Sequence, residues 1–303
     1  MITRVTHQST QRAALTNLQA TQSQLAQLQQ RASSGKMVTK ASDDPAKAAD
    51  AMALRKEQQA AAQYSRNVQD GVSWLTSIDT AINTSLSYLN RARDLVVRGA
   101  NSGATNAEAR EALAVEIEGI RGSLAAQANT TYLGRSVFAG TSDGPAYTQD
   151  TVTGDYTYNG SPGIVERRTG AGTTVRVDAD GAAVFGTSND PDAPDASVYA
   201  LLTDIAAKLR AGEDVQSDIT KIDARRDKML SEITGVGART NQLESAKELL
   251  GHKAMSLKGD LSAVEDIDLP ATLIELQMQE VAYQAALGAT ARVLQPSLLD
   301  YLK

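Results

Sequence analysis

The 303-residue chain contains no cysteine, which excludes disulfides, iron–sulfur clusters, thiolate zinc sites and cysteine nucleophiles, and leaves the redox compartment open. Histidine is scarce: only His7 and His252 occur, far apart. Neither is read as having a neighbouring His or carboxylate at metal-ligand helical spacing, so both are taken as surface or packing residues and no metal site is expected. Aromatic residues make up 4% of the chain, with one Trp and two Phe, which suits thin helical bundles better than a compact globule. No run approaches the roughly 18 apolar residues of a spanning helix, so no membrane insertion is expected. The first residues lack the apolar core of a secretory signal, so export, if it occurs, is expected to proceed without a cleavable signal peptide. A Gly-rich phosphate loop, a Ser-His-Asp set and a convergent carboxylate cluster are all missing, since "GTSDG" and "GAGTT" read as loops. The chain is therefore read as a non-enzyme with no catalytic or cofactor-binding residues and no cofactor. A net charge of −6 argues against nucleic acid as the main partner.

The distribution of charge says more than its total. Residues 1–41 carry Arg4, Arg12, Arg31, Lys36 and Lys40 and no acid. Residues 265–303 carry Glu265, Asp266, Asp268, Glu275, Glu280 and Asp300 against Arg292 and Lys303. The two ends are electrostatically suited to pair. Between the first helical pattern and the next lies "SSGKMVTKASDDP". Gly35 suits a left-handed helix stop, and Lys36 suits the carbonyl end of the dipole. Ser42, Asp43 and Asp44 offer capping oxygens, and Pro45 suits the first position of a new helix. The segment is read as a hinge, with Asp43 and Asp44 as caps in preference to a catalytic pair.

Leu15, Leu18, Leu25 and Leu28 form one narrow apolar stripe, and Leu273, Leu276, Leu287, Leu294, Leu298 and Tyr301 form another, with 273, 287, 294 and 301 at multiples of seven. Each stripe is too sparse to hold a helix alone. Pairing of the two ends, completed by neighbouring subunits, is the expected solution. A sustained stripe runs from Val68 through Val72, Leu75, Ile78, Ile82, Leu86 and Leu89 to Val96, followed by a helix opened by a Thr105–Glu108 capping box and buried through Leu113, Ile117, Ile120, Leu124 and Ala128. The longest pattern takes in Val215, Ile219, Ile222, Met229, Ile233, Val236, Leu243, Leu250, Ala254, Leu257 and Leu261, with Arg226, Thr240 and Lys247 as edge positions. Between Tyr132 and Asp195 the period disappears. "DYTYNG", "GIVERRTG" and "TTVRVDADGAAVF" predict short strands with hairpins at Asn159-Gly160 and Asp180-Gly181, after which Val198, Leu201, Leu202, Ile205 and Leu209 mark a helix closed by Gly212.

The fold expected is mainly α: an elongated antiparallel helical bundle or coiled coil made from the N- and C-terminal segments, with a small inserted β domain. The boundaries are 1–41 plus 265–303 for a terminal assembly domain, 42–131 plus 196–264 for a helical rod, and 132–195 for the insertion.

"LAQLQQRASSGKMVTKASDDPAKAADAMALR", "VGARTNQLES" and "YQAALGATARVLQPSLLDYL" resemble the flagellin superfamily. "SSGK" followed by "SDDP", "YLGRSVFAGT" and the terminal "SLLDYL" are more similar to its hook-associated branch than to filament flagellin. The connector departs from the family pattern at Met37-Val38-Thr39-Lys40, where a basic residue followed by Ile-Asn is usual. The resemblance implies a subunit exported unfolded through the flagellar type III channel and placed as a ring at the hook–filament junction, outside the cell. Its implied partners are other copies of itself, the first hook-associated protein, flagellin and an export chaperone. Its paired terminal helices would form an inner tube, with Leu15, Leu18, Leu25, Leu28, Leu273, Leu276, Leu287, Leu294, Leu298 and Tyr301 as assembly contacts. Gly35, Lys36, Ser42, Asp43, Asp44 and Pro45 would make the connector. The alternatives are a flagellin that polymerises into the filament and, further off, a coiled-coil sensor or adhesin.

Overall fold

The computed structural model describes residues 7–101 and 106–294. Its helices are α1 (His7–Ser34), α2 (Pro45–Ala100), α3 (Ala107–Ala128), α4 (Gly181–Phe185), α5 (Val198–Ala211), α6 (Gln216–Glu265) and α7 (Leu269–Leu294). Its strands are β1 (Thr131–Tyr132), β2 (Arg135–Ser136), β3 (Tyr147–Gln149), β4 (Tyr156–Tyr158), β5 (Glu166–Arg168) and β6 (Thr174–Arg176). The fold is mainly α-helical with short antiparallel hairpins, as the periodicity predicts. The chain divides into two compact units, Met1–Ala60 with Lys253–Lys303, and Ala61–His252.

In the larger unit, Val68, Leu75, Ile78, Ile82, Leu86, Leu89 and Val96 of α2 are buried along the stripe read from sequence. The buried face of α6 follows a strict seven-residue repeat, through Ile222, Met229, Val236, Leu243 and Leu250, with Val215 just ahead of the helix. Ile219, Ile233, Arg226 and Thr240 flank it half-buried, and Lys247 is exposed. Two charged residues occupy the same face. Asp218 is fully buried between the ammonium groups of Lys208 and Lys221, each 3.1 Å away, which offsets its desolvation. Arg225, also buried, donates to the carbonyls of Ala183 and Ala196, and burial lowers its pKa from the usual guanidinium value.

α3 packs on α5. Its N-cap is Asn106, whose side chain accepts from the Ala109 N–H, which corrects the expected Thr105–Glu108 box; Thr105 lies outside the described residues. Ser197 caps α5, and Gly212 closes it in the left-handed conformation at φ 74°, donating to the Leu209 carbonyl. Val198, Leu201, Leu202, Ile205 and Leu209 of α5 are all buried, as their spacing predicts.

The hairpins fall elsewhere than the Asp-Gly and Asn-Gly pairs suggested. β1 pairs with β2 across Leu133-Gly134, β3 with β4 across residues 150–155, and β5 with β6 across residues 169–173. Asp180 instead opens α4, its carboxylate accepting the Ala182 N–H, and Asn159 follows β4, where its side chain donates to Thr148. A carboxylate two residues ahead of free amides satisfies a helix start as readily as a turn. The rare aromatics concentrate here: Tyr156 stacks on Tyr199 at 4.4 Å between ring centroids, Tyr147 meets Tyr199 at 5.0 Å, and Phe138 meets Phe185 at 5.3 Å. A low average composition therefore conceals one dense aromatic core.

Candidate functional site

The smaller unit is built from the two ends of the sequence and the connector. α1 stops because Gly35 adopts φ +70° and donates its N–H to the Arg31 carbonyl. The chain then runs extended against the start of the C-terminal segment. Lys36 bridges Asp266 antiparallel, the Met37 N–H donates to the Glu265 carbonyl at 2.6 Å, and the Ile267 N–H donates to the Gly35 carbonyl at 3.1 Å. The Asp43 carboxylate accepts from the Thr39 hydroxyl and from the N–H groups of Thr39 and Lys40. The Lys40 N–H bond leads in holding its pKa below the ordinary value. Asp44 is the N-cap of α2, accepting from the Ala46 and Lys47 N–H groups, and Pro45 takes the first helical position. Ser42 is exposed and has no capping bond. Both carboxylates accept from backbone N–H groups, and Asp43 also from a hydroxyl.

The connector is held by a residue that sequence reading counted only as one acid among several. The Glu265 side chain is 5% exposed, with Lys36 Nζ 2.7 Å from Oε2 and Arg55 Nη2 2.5 Å from Oε1. The Lys36 hydrogen bond, aided by Arg55, holds the Glu265 carboxyl below its ordinary range against the opposing effect of burial. Beside this clamp lies a cleft of about 430 Å³ whose lining includes Val38, Lys40, Ala51, Met52 and Arg55. No local signal in the sequence marks Glu265 or Arg55, because the clamp depends on a contact across more than two hundred residues.

α1 and α7 pack together as an antiparallel pair. Gln279 fixes the register, its amide donating to the Thr21 carbonyl and to Gln24. The α1 face turned to the pair is half-buried at Ala14, Leu18, Thr21, Leu25 and Leu28. The matching stripe on α7 is Thr272, Leu276, Gln279, Tyr283, Ala286 and Thr290, spaced alternately by four and three. α7 thus gives α1 a mixed stripe of polar and apolar residues, while several of its other large apolar side chains are exposed. Leu273, Ile274, Met278, Val281 and Leu287 are all exposed, Met278 at 67%. Of the ten residues read as assembly contacts, Leu18, Leu25, Leu28 and Leu276 join the helix pair, while Leu15, Leu273 and Leu287 face outward. Leu294 ends α7 with its side chain outside the described residues, as are Leu298 and Tyr301.

His252 is exposed, with exposed Glu248 one turn before it at 3.9 Å, a carboxylate neighbour that the sequence reading passed over. Among the described residues no group of three or more potential ligands could hold a metal ion, and no helix is long and apolar enough to cross a membrane.

The smaller unit thus pairs helices from both chain ends and leaves several large apolar side chains of α7 exposed. The N-terminal helical region of bacterial flagellin matches residues 5–143 and the C-terminal helical region matches residues 219–302, and the chain belongs to the flagellin family. It is similar to flagellar hook-associated protein 3 of Salmonella typhimurium strain LT2, with 28% identity over 301 residues and 90% of each chain covered. It is also similar to the flagellin of Bacillus subtilis strain 168, with 24% identity over 307 residues and 95% of each covered. The crystal structure of flagellar hook associated protein-3 from Legionella pneumophila shares the fold, with a TM-score of 0.62 over 70% of this chain and 98% of that one at 16% identity.

Proposed function

We propose that this protein is a structural junction subunit of the bacterial flagellum, linking the hook, through the first hook-associated protein, to the flagellin filament. The observation that carries this reading is the open apolar face of α7, where Ile274, Met278 and Val281 stand exposed and further subunits would cover them. The similarity to hook-associated protein 3 along most of the chain supports the junction in particular. In this reading the chain leaves the cell through the flagellar type III channel, accompanied by a chaperone, and forms a ring of copies in contact with flagellin. Residues 1–41 and 265–303 form the inner assembly domain, residues 42–131 and 196–264 the rod, and residues 132–195 an outer insertion. No catalysis is part of this role.

Deleting the gene should leave cells with hooks but no filaments and with flagellin shed into the medium. Normally attached filaments in the deletion would overturn the proposal. The resemblance to flagellin supports a second reading, as a filament subunit, for which the deletion would instead remove a filament component and shed nothing.

A further inference from the structure

The smaller unit carries two unfinished surfaces of opposite character. The outward stripe of α7 presents Ile274, Met278 and Val281, flanked by Glu275 and Glu280, both exposed and without an ion pair among the described residues. The connector cleft is apolar along Val38, Ala51 and Met52, the last 59% exposed, and its lining holds three cations, Lys36, Lys40 and Arg55, against the single carboxylate of Glu265. Glu265 is already shared between Lys36 and Arg55. Lys40 forms no ion pair among the described residues, although the nearby Asp43 carboxylate attracts it, and the Lys47 ammonium donates to the Met37 thioether at 3.3 Å. One surface is apolar and flanked by carboxylates, and the other is apolar with an excess of cations along its lining.

We infer that the connector cleft of one copy receives the outward stripe of α7 from a second copy, with Met278 and its neighbours meeting Met52 and Val38, and Glu275 and Glu280 meeting the Lys40 and Lys47 side. This rests on the junction reading and names the self-contact within it. Along the helix pair, Gln279 lies level with Thr21, whereas the cleft lies at the end of α1, lined by Gln30 and Ser34, so the two surfaces are at different positions on the same unit. A contact between different patches is heterologous, and repeating it generates a ring or a helical array, in contrast to a two-fold dimer.

The absence of native cysteine makes the test direct. Full-length Met52→Cys and Met278→Cys proteins are purified, mixed at the highest soluble concentration and oxidised. The mixture should give at least about tenfold more disulfide dimer than either variant alone, and the double variant should give a ladder of higher multimers. Lys40→Glu should cut the mixed yield severalfold, and adding Glu275→Lys with Glu280→Lys on the other partner should restore it. Val281→Cys in place of Met278→Cys repeats the measurement from a second position. Equal dimer yield from Met278→Cys alone would place α7 against α7, and no dimer above a Gln22→Cys control would mean no such contact; either result overturns the inference. The deletion phenotype is independent of this readout, so the junction reading and the cleft contact can fail separately.

Discussion

Lys36 and Glu265 stand 229 residues apart in sequence and 2.7 Å apart in space, one just after the helix that opens the chain and the other at the end of the longest late helix. Because Arg55 also binds the same carboxylate, one buried acid ties the connector, α2 and α6 together. Glu265→Gln should weaken this unit by about 1–2 kcal/mol at neutral pH. The charged hydrogen bonds are lost, while the half-exposed cations recover hydration. The folded carboxyl sits below its ordinary value of 4.5, so the contribution is present above that value and fades as pH falls through the lower folded one. Chemical denaturation followed by helicity should show the two proteins converging in acid. A gap that persists unchanged into strong acid would refute the clamp's role.

A pair of buried tyrosines offers an internal comparison. The Tyr147 hydroxyl lies 2.9 and 2.7 Å from the carbonyls of Gly181 and Gly186 and donates there. The Tyr199 hydroxyl is buried with no hydrogen-bond partner among the described residues. Tyr147→Phe should therefore cost about 1–2 kcal/mol, whereas Tyr199→Phe should be neutral or stabilise by up to about 1 kcal/mol, since it removes an unpaired polar group. Thermal melting of the two variants decides it, and equal losses would show that Tyr199 has a partner.

Leu133 is a non-glycine residue at φ +49°, 81% exposed at the tip of the β1–β2 hairpin. Left-handed geometry costs a side chain roughly 1–2 kcal/mol, and no burial offsets it here. Leu133→Gly should raise stability by about 1 kcal/mol less the added chain entropy, a net gain of a few tenths, measured by the shift in denaturation midpoint at constant slope. A lower midpoint would mean that the Leu133 side chain packs in the folded state.

What the sequence made legible is what depends on local chemistry. Gly35, Asp44 with Pro45, and Gly212 act where their types suggested, and the stripes of α2, α5 and α6 are largely buried, with Ala254 exposed, because a seven-residue or 3–4 repeat on a long helix has one inward face. Asp180 misled because Asp-Gly serves both hairpin turns and helix starts. The clamp at Glu265 and the aromatic core around Tyr199 were invisible because nothing within ten residues of either announces the distant partners. On α7 the leucine spacing identified an apolar face, yet which face meets α1 depends on Gln279 and Thr21, polar residues that a hydrophobicity pattern passes over.

The outward leucines give the sharpest test of assembly against folding. Leu273 and Leu287 lie on α7 and are 44% and 42% exposed, so Leu273→Ser with Leu287→Ser removes about half of each side chain's burial and should cost about 1 kcal/mol per substitution, a modest fall in the melting temperature of purified protein. Leu243 of α6 is fully buried, and Leu243→Ser leaves a cavity together with a hydroxyl, for a loss of about 3–5 kcal/mol. If the α7 face is covered by other subunits, the double α7 variant should fold and be secreted normally yet fail to hold filaments, because burying each leucine in an interface contributes roughly 1.5–3 kcal/mol that serine cannot supply. Leu243→Ser should instead reduce the amount of folded protein. Melting, secretion and swimming are measured side by side for both variants, and a secreted double α7 variant that still swims at the wild-type rate would remove this face from the junction.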